Sequence, residues 1–163
     1  MDQRDHHTSD SRHAQGDTSL NRSALQATVH CLTGCAIGEV LGMIVATALG
    51  WGNAASIAIS IVLAFLFGYS LTLGPIVRAN VPFRRAAGLT LASDTLSITT
   101  MEIVDNAFIL FVPGAIAAGL GDALFWWSLG VSLLIAFVAA FPVNRWLIAR
   151  GRGHAVVHEL HAH

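Results

Sequence analysis

The segment HCLTGCAIGEVLG, residues 30–42, places a histidine, two cysteines and a glutamate within an apolar run. Cys31, Cys35 and Glu39 follow one another at intervals of four residues, so a helix would present all three on one face. Thiolate, imidazole and carboxylate groups suit Zn(II), whereas thiolate, imidazole and thioether groups suit Cu(I). Together with His30, these side chains are a candidate ligand set for a metal ion.

Another apolar run, residues 86–111, supplies three carboxylates and a thioether. At 100° per residue, Asp94, Met101 and Asp105 fall within an arc of about 60°, and Glu102 lies about 40° to one side. If the two runs are neighbouring helices, their polar groups form a ladder across the bundle. The predicted metal ligands are His30, Cys31, Cys35, Glu39, Asp94, Met101, Glu102 and Asp105.

The negative charge of these acids must be neutralised or solvated, because no Lys or Arg lies within the apolar runs. An acidic side chain at the centre of a bilayer costs about 2.5–3.5 kcal/mol on insertion scales. The carboxylates must therefore be protonated, bind cations or face a hydrated cavity. A simpler interpretation is that they are neutral, hydrogen-bonded to neighbouring Ser and Thr side chains, and only fix the bundle.

Four apolar runs dominate the chain, and each reaches the ~20 residues that a helix needs to cross a bilayer. They cover residues 27–49, 55–77, 86–111 and 123–141, the last reaching residue 148 if it continues past Pro142. Only 12% of the 163 residues are charged, and 54% are hydrophobic. The sequence predicts an all-α fold, a polytopic bundle of four transmembrane helices within residues 25–150. A soluble bundle would need a polar face that the second run lacks.

A line of glycines runs beside the cysteines in the first apolar run. Gly34, Gly38 and Gly42 recur every four residues, and such small residues let a second helix approach closely. We predict that they form a helix-packing surface. We expect the neighbour of this segment to be the acid-bearing face of the third run.

The two ends of the chain are polar and contain histidines. Residues 1–24 are predicted to be a disordered cytoplasmic tail with three histidines, and residues 151–163 a His-rich cytoplasmic tail. Short His-rich tracts often bind metal ions, although a solvated tail or a pH-sensitive segment would have the same composition. The residues predicted to collect metal in the C-terminal tail are His154, His158, His161 and His163.

The positions of the nine arginines predict how the chain is oriented in the membrane. They lie before the first run, between the second and third runs, and after the fourth run. These three segments share one side of a four-span topology, which the positive-inside rule assigns to the cytoplasm. Both termini are therefore predicted to be cytoplasmic.

Several functional classes lack their usual motifs. The chain has no Gly-rich phosphate loop, no H-E-x-x-H and no motif for a Ser-His-Asp triad. A haem carrier usually needs two axial ligands, and His30 is the one histidine within a run. A basic stripe for nucleic acid is also missing. We expect neither an enzyme nor a nucleotide, haem or nucleic-acid binder.

The segments HCLTGCAIGE and MEIVDNA resemble those of a family of small bacterial integral-membrane proteins catalogued only as a domain of unknown function. The segment FPVNRWLIARGRGHAVVH is similar to that family's typical ending. The resemblance covers nearly all of the chain from about residue 27 and implies a four-helix fold in the bacterial inner membrane. Some relatives are labelled as copper-related, which favours copper.

Three functions follow from these patterns. The first is binding or transport of a metal ion, copper or zinc, through a path between the first and third runs. The second is proton- or cation-coupled transport of another small solute by the carboxylates, and the third is a non-catalytic assembly partner in the membrane. Because four spans form a small body for a transport path, we also expect a homo-oligomer in the lipid bilayer.

Overall fold

The computed structural model describes the backbone of residues 4–78 and 83–150 and the side chains of residues 17–74, 88 and 91–150. Four α-helices follow in chain order, with a short 3-10 helix before the last, and no strand occurs within these ranges. The helices are α1 (Arg4–Ala48), α2 (Asn53–Arg78), α3 (Phe83–Phe111) and α4 (Ala123–Ala149). The predicted all-α fold with four helices is confirmed.

The helices have the length and surface of membrane spans. Three segments of the described chain are long and apolar enough to cross a bilayer: Asp17–Ala48, Asn53–Gly74 and Ala123–Ala149. The 29-residue α3 is less apolar because it carries three acids, but these are buried and its exposed side chains include Ile103 and Leu110, each 65% exposed. Its outer surface therefore suits lipid as well. The chain is a polytopic membrane protein.

The tryptophans mark the two ends of the bundle. Trp51, Trp126 and Trp127 lie exposed at the end where α1 stops and α4 begins, and Trp146 lies exposed at the opposite end. Tryptophan favours the boundary between lipid and water, where its ring is half apolar and half polar. We call the first of these the Trp51 end and the second the Trp146 end.

The neighbour of the glycine line is α2. Gly34, Gly38 and Gly42 lie against Gly68, Ala64 and Ser60, in reverse order, because α1 and α2 run antiparallel. A Cβ atom at Gly34 would lie 2.7 Å from the Gly68 Cα atom, closer than carbon atoms normally approach. The expectation that the glycines meet α3 is wrong, since α2 also has small residues every four positions and admits the closer contact.

The cysteines face a different helix from the glycines. Cys31, Cys35, Ile98 and Met101 belong to one buried cluster that also includes small residues of α2 and α4. Small residues on α2 and α4 leave room at the centre for the larger side chains of α1 and α3. Helix α1 thus presents the glycine line to α2 and the cysteine line to α3.

Helix α1 begins well before the predicted membrane span. Residues 17–24, predicted as part of a disordered tail, are helical and pack against α4 through Leu20 and Ala24, which contact Phe141 and Ile148. The guanidinium group of Arg145 donates a 2.7 Å hydrogen bond to Asn21. These contacts stabilise the helix at this end of the bundle. Residues 151–163 lie outside the described residues.

Candidate functional site

The site lies between α1 and α3 and forms three layers along the bundle. Cys31, Cys35 and Glu39 succeed one another at one helical turn on α1, so the layers lie about 6 Å apart. We name each layer after its residue on α1. Both cysteines are buried and free, with exposed fractions of 1% and 2%, while Glu39 is half-buried. Each layer pairs its α1 side chain with a carboxyl group of α3.

The Cys31 layer joins a thiol to Asp94. The Cys31 Sγ atom donates to the Asp94 Oδ1 atom at 4.0 Å, and Asp94 is 1% exposed. Asp94 also interacts with the hydroxyl of Thr72 on α2 and lies within electrostatic range of His30. The layer therefore contains a thiol, a carboxyl group and an imidazole near the Trp146 end.

The Cys35 layer joins the second thiol to Glu102. The two side chains are in contact, and Asn106 donates a 3.4 Å hydrogen bond to the Glu102 Oε2 atom. The other oxygen, Oε1, is buried and has no hydrogen-bond partner of normal geometry among the described residues. This layer thus contains an acceptor that a proton or a cation would satisfy.

The Glu39 layer brings two carboxyl groups together. The side chains of Glu39 and Asp105 are in contact, and Ser132 of α4 donates a hydrogen bond to the Asp105 Oδ1 atom. The Asp105 Oδ2 atom is buried without a hydrogen bond of normal geometry to any described residue. Two carboxylates in contact repel each other unless a proton or cation lies between them.

The three layers contain no lysine or arginine side chain. No Lys or Arg occurs between residues 23 and 77 or between residues 86 and 144. Neutral hydroxyl and amide groups from α2, α3 and α4 provide the remaining polar contacts. Several buried acids inside a membrane protein are typical of proton relays and cation paths.

Three sulfur atoms lie in the buried cluster at the centre of the site. Cys31, Cys35 and Met101 belong to it, and all three have exposed fractions of 2% or less. No group of three or more His, Cys, Asp or Glu side chains within the described ranges is close enough together to hold a metal ion. The predicted ligands are therefore spread along the bundle and do not form one compact group. The sulfur atoms of three of them belong to the same buried cluster.

A cavity of 190 Å³ opens next to the Glu39 layer, at the Trp51 end of the bundle. Its walls come from α1, α2, α3, the segment around the 3-10 helix, and α4. Glu39, Met43 and Asn106 line it, so it reaches the polar face of the site. A cavity of this size and polarity has room for several water molecules.

At the Trp146 end a hydrogen-bonded cluster closes the bundle. The Asn144 Nδ2 atom of α4 donates to the Thr28 Oγ1 atom of α1 at 2.9 Å and to the Ser97 Oγ atom of α3 at 3.0 Å. All three residues have exposed fractions of 2% or less. The layers therefore run between a cavity at one end and a tightly packed polar cluster at the other.

Sequence reasoning missed several of these residues. Met43 lies one further turn along the line of Cys31, Cys35 and Glu39, so extending the four-residue spacing would have found it. Asn144 lies just beyond Pro142, in the part of the fourth run that the sequence left open as a continuation of the span, and α4 includes it because it continues to Ala149. The four histidines of the C-terminal tail, His154, His158, His161 and His163, lie outside the described residues.

The comparisons with known proteins identify a family but no activity. A family model described as "Domain of unknown function (DUF4396)" matches residues 20–153 of the chain. No curated protein and no solved structure matches it. The matched region includes all three layers, the cavity and the Asn144 cluster.

Proposed function

The chain belongs to this DUF4396 family, whose description assigns no activity, and we propose from the site itself that it binds a metal ion in the membrane and carries it across. The arrangement favours Cu(I) over Zn(II). Structural zinc sites hold four nitrogen, sulfur or oxygen ligands in a tetrahedron, whereas thiolate and thioether ligands select Cu(I). The observation that carries the proposal is the buried sulfur cluster of Cys31, Cys35 and Met101, which lies beside buried carboxyl groups of α3.

The carboxyl groups complete the proposed chemistry. A cysteine must lose its proton to become a metal ligand, so binding of the ion releases protons. Asp94 lies beside Cys31 and Glu102 beside Cys35, and each can accept the proton of its neighbour. The proton then stays within the layer while the metal ion is bound, which limits the net charge placed in the membrane.

We propose an orientation from the arginines. Arg22, Arg145 and Arg150 lie at the Trp146 end of the bundle, and the positive-inside rule places this end in the cytoplasm. The cavity beside Glu39 would then face the outside of a bacterial inner membrane. The cation path would run from this cavity through the Glu39 and Cys35 layers to the Cys31 layer, near the cytoplasm.

Metal analysis of the full chain tests this function. The detergent-purified protein is incubated with Cu(I), Ag(I) as a soft ion without redox chemistry, or Zn(II), then desalted and measured by mass spectrometry of the bound metal. We expect stoichiometric Cu(I) and Ag(I) in the wild type and loss of both in Cys31→Ser/Cys35→Ser. Thr33→Ala, an exposed position on α1, is the matched control. A wild type that retains no copper, silver or zinc would refute the proposal.

A second function is favoured by the carboxyl contact in the Glu39 layer. Proton- or cation-coupled transport of another solute would use Glu39, Glu102 and Asp105 and would not need the thiols. In proteoliposomes, such transport would be lost in Glu102→Gln and retained in Cys31→Ser/Cys35→Ser. Loss of metal binding in the cysteine variant supports the first function, and intact flux with no metal binding supports the second.

A further inference from the structure

The cavity at the Trp51 end has the properties of a cation site. Glu39 is the one titratable side chain that lines it, and the described lining includes no Lys, Arg or His. Hydroxyl and amide oxygens from α2, α3 and α4 provide further acceptors. A low-dielectric concave surface with one acid and no base concentrates cations and excludes anions.

Met43 adds a soft ligand to this cavity. It is the one sulfur-containing residue of the lining and lies one turn beyond Glu39 on the same face of α1. It is half-buried and packs beside Phe125 and Leu129, and its side chain also lines the open space. A thioether is a ligand for soft ions such as Cu(I) and a poor one for hydrated hard cations.

Four residues of α1 follow a shallow spiral along the helix, in which each step turns about 40° around the axis. Met43, Glu39, Cys35 and Cys31 are each separated by four residues, which places successive groups about 6 Å apart along the axis. An ion leaving one group is therefore within one short step of the next. The spiral begins at the cavity and ends in the Cys31 layer.

We propose that the cavity is the entry site for a soft monovalent metal ion, held there by the Met43 thioether and the Glu39 carboxylate before it reaches the cysteines. This inference rests on the proposed function, because it concerns the same ion and the same path. It adds a binding site outside the buried sulfur cluster and makes Met43 the residue that discriminates soft ions from hard ones.

Titration of the full chain with Ag(I) in detergent tests the entry site. Met43→Leu keeps the volume of the side chain and removes the sulfur, so packing should be retained. We expect the wild type to show two classes of Ag(I) site, and Met43→Leu to weaken one of them by about tenfold or more, as loss of a ligand should cost at least as much as loss of an outer-shell partner. Met43→Cys, which restores a soft ligand, should recover most of that affinity.

Two controls separate this inference from the proposed function. Ile57→Leu alters the wall of the same cavity without touching sulfur and should bind Ag(I) as the wild type does. Identical titrations for Met43→Leu and the wild type would eliminate the entry site while leaving the buried cluster intact. Equal losses in Met43→Leu and Ile57→Leu would also overturn it, because cavity packing would then explain the result. A wild type that binds no Ag(I) would instead remove the proposed function itself.

Discussion

Asn144 shows how a single polar residue can hold three helices together in a membrane. Its amide joins Thr28 of α1 and Ser97 of α3 to α4 in a region that is closed to solvent. Lipid offers no alternative partner for these groups, so they must bond to one another. The cluster closes the Trp146 end of the proposed path.

Replacing Asn144 should therefore destabilise the bundle. Interhelical hydrogen bonds in membrane proteins contribute about 0.6 kcal/mol on average and up to about 1.7 kcal/mol each. We expect Asn144→Ala, which removes two of them, to lower the free energy of unfolding by about 1–3 kcal/mol. Unfolding in a detergent titration, followed by circular dichroism, provides the measurement.

The lipid-facing Val138, 65% exposed on the same helix, provides the control. Val138→Ala removes a similar amount of side chain without breaking a hydrogen bond and should change stability by well under the loss seen for Asn144→Ala. Equal effects of the two substitutions would mean that the hydrogen bonds of the cluster do not stabilise the bundle.

At the residue scale, the sequence predicts the thiols and acids of the site but misses its hydroxyl and amide groups. The thiols and acids are conspicuous in an apolar run, and their helical spacing predicts a shared face. Thr28 and Ser97 resemble many hydroxyl residues that only bond to their own helix, as Ser70 does. Their role depends on Asn144, which comes more than 40 residues later in the chain and contacts them only in the folded bundle.

The two faces of α1 perform different tasks at the scale of the helix. One face, with Gly34, Gly38 and Gly42, lies so close to α2 that a side chain would collide with its backbone. The adjacent face presents Cys31 and Cys35 to α3. Close contact with α2 fixes the rotation of α1 about its axis, and this rotation directs the cysteines to the acids.

Filling the α1–α2 contact should disturb the whole site. A Cβ atom at Gly38 would collide with the backbone of Ala64, and overpacking of this kind costs about 1–3 kcal/mol. We expect Gly38→Ala to lower stability by that amount and to weaken metal binding, since α1 must move away from α2. Detergent unfolding and the Ag(I) titration measure the two effects.

Gly130 of α4 is the matched control for this substitution. A Cβ atom there would meet no atom within 4 Å, and the residue is exposed. Gly130→Ala should leave metal binding unchanged and alter stability by no more than about 1 kcal/mol, in the stabilising direction, because Ala favours helix over Gly. If both alanine variants behave alike, the close α1–α2 contact is not what positions the cysteines.

Helical periodicity accounts for the fold but not for the pairing of helices. Long apolar runs separated by short loops predict four spans, and each lies almost entirely within one of the four helices, although α1 begins well before its run. The small residues of α2, Ser60, Ala64 and Gly68, are hard to recognise as a contact surface because they lie in an almost purely apolar run. Which helix meets the glycines of α1 depends on the three-dimensional arrangement.

The whole molecule is asymmetric along the membrane normal. The Trp51 end has short loops, a cavity and no basic residue in the described chain, whereas the Trp146 end has a closed cluster and the ion pair between Arg145 and Asp17. The guanidinium of Arg150 also lies 4.2 Å from the ring centroid of Trp146. The proposed path, with one open and one closed end, would suit a carrier that exposes its site to one side at a time.

Chemical labelling of introduced cysteines tests the orientation that this asymmetry implies. In the Cys31→Ser/Cys35→Ser background, Gly52→Cys and Gly121→Cys place thiols in the two loops of the Trp51 end, and Ala149→Cys places one at the opposite end. All three positions are exposed, and a Cβ atom at either glycine meets no neighbour within 4 Å. The substitutions should therefore not disturb the fold.

Positive charge in the cytoplasmic flanks determines the direction of insertion, so both loops of the Trp51 end should face outwards. A membrane-impermeant maleimide added to intact cells without an outer barrier should modify Gly52→Cys and Gly121→Cys, and should modify Ala149→Cys only after the membrane is permeabilised. The opposite pattern would place the cavity in the cytoplasm and reverse the proposed path. Labelling of one loop without the other would mean that α2 and α3 do not both cross the membrane, because the two loops lie on one side only if both do.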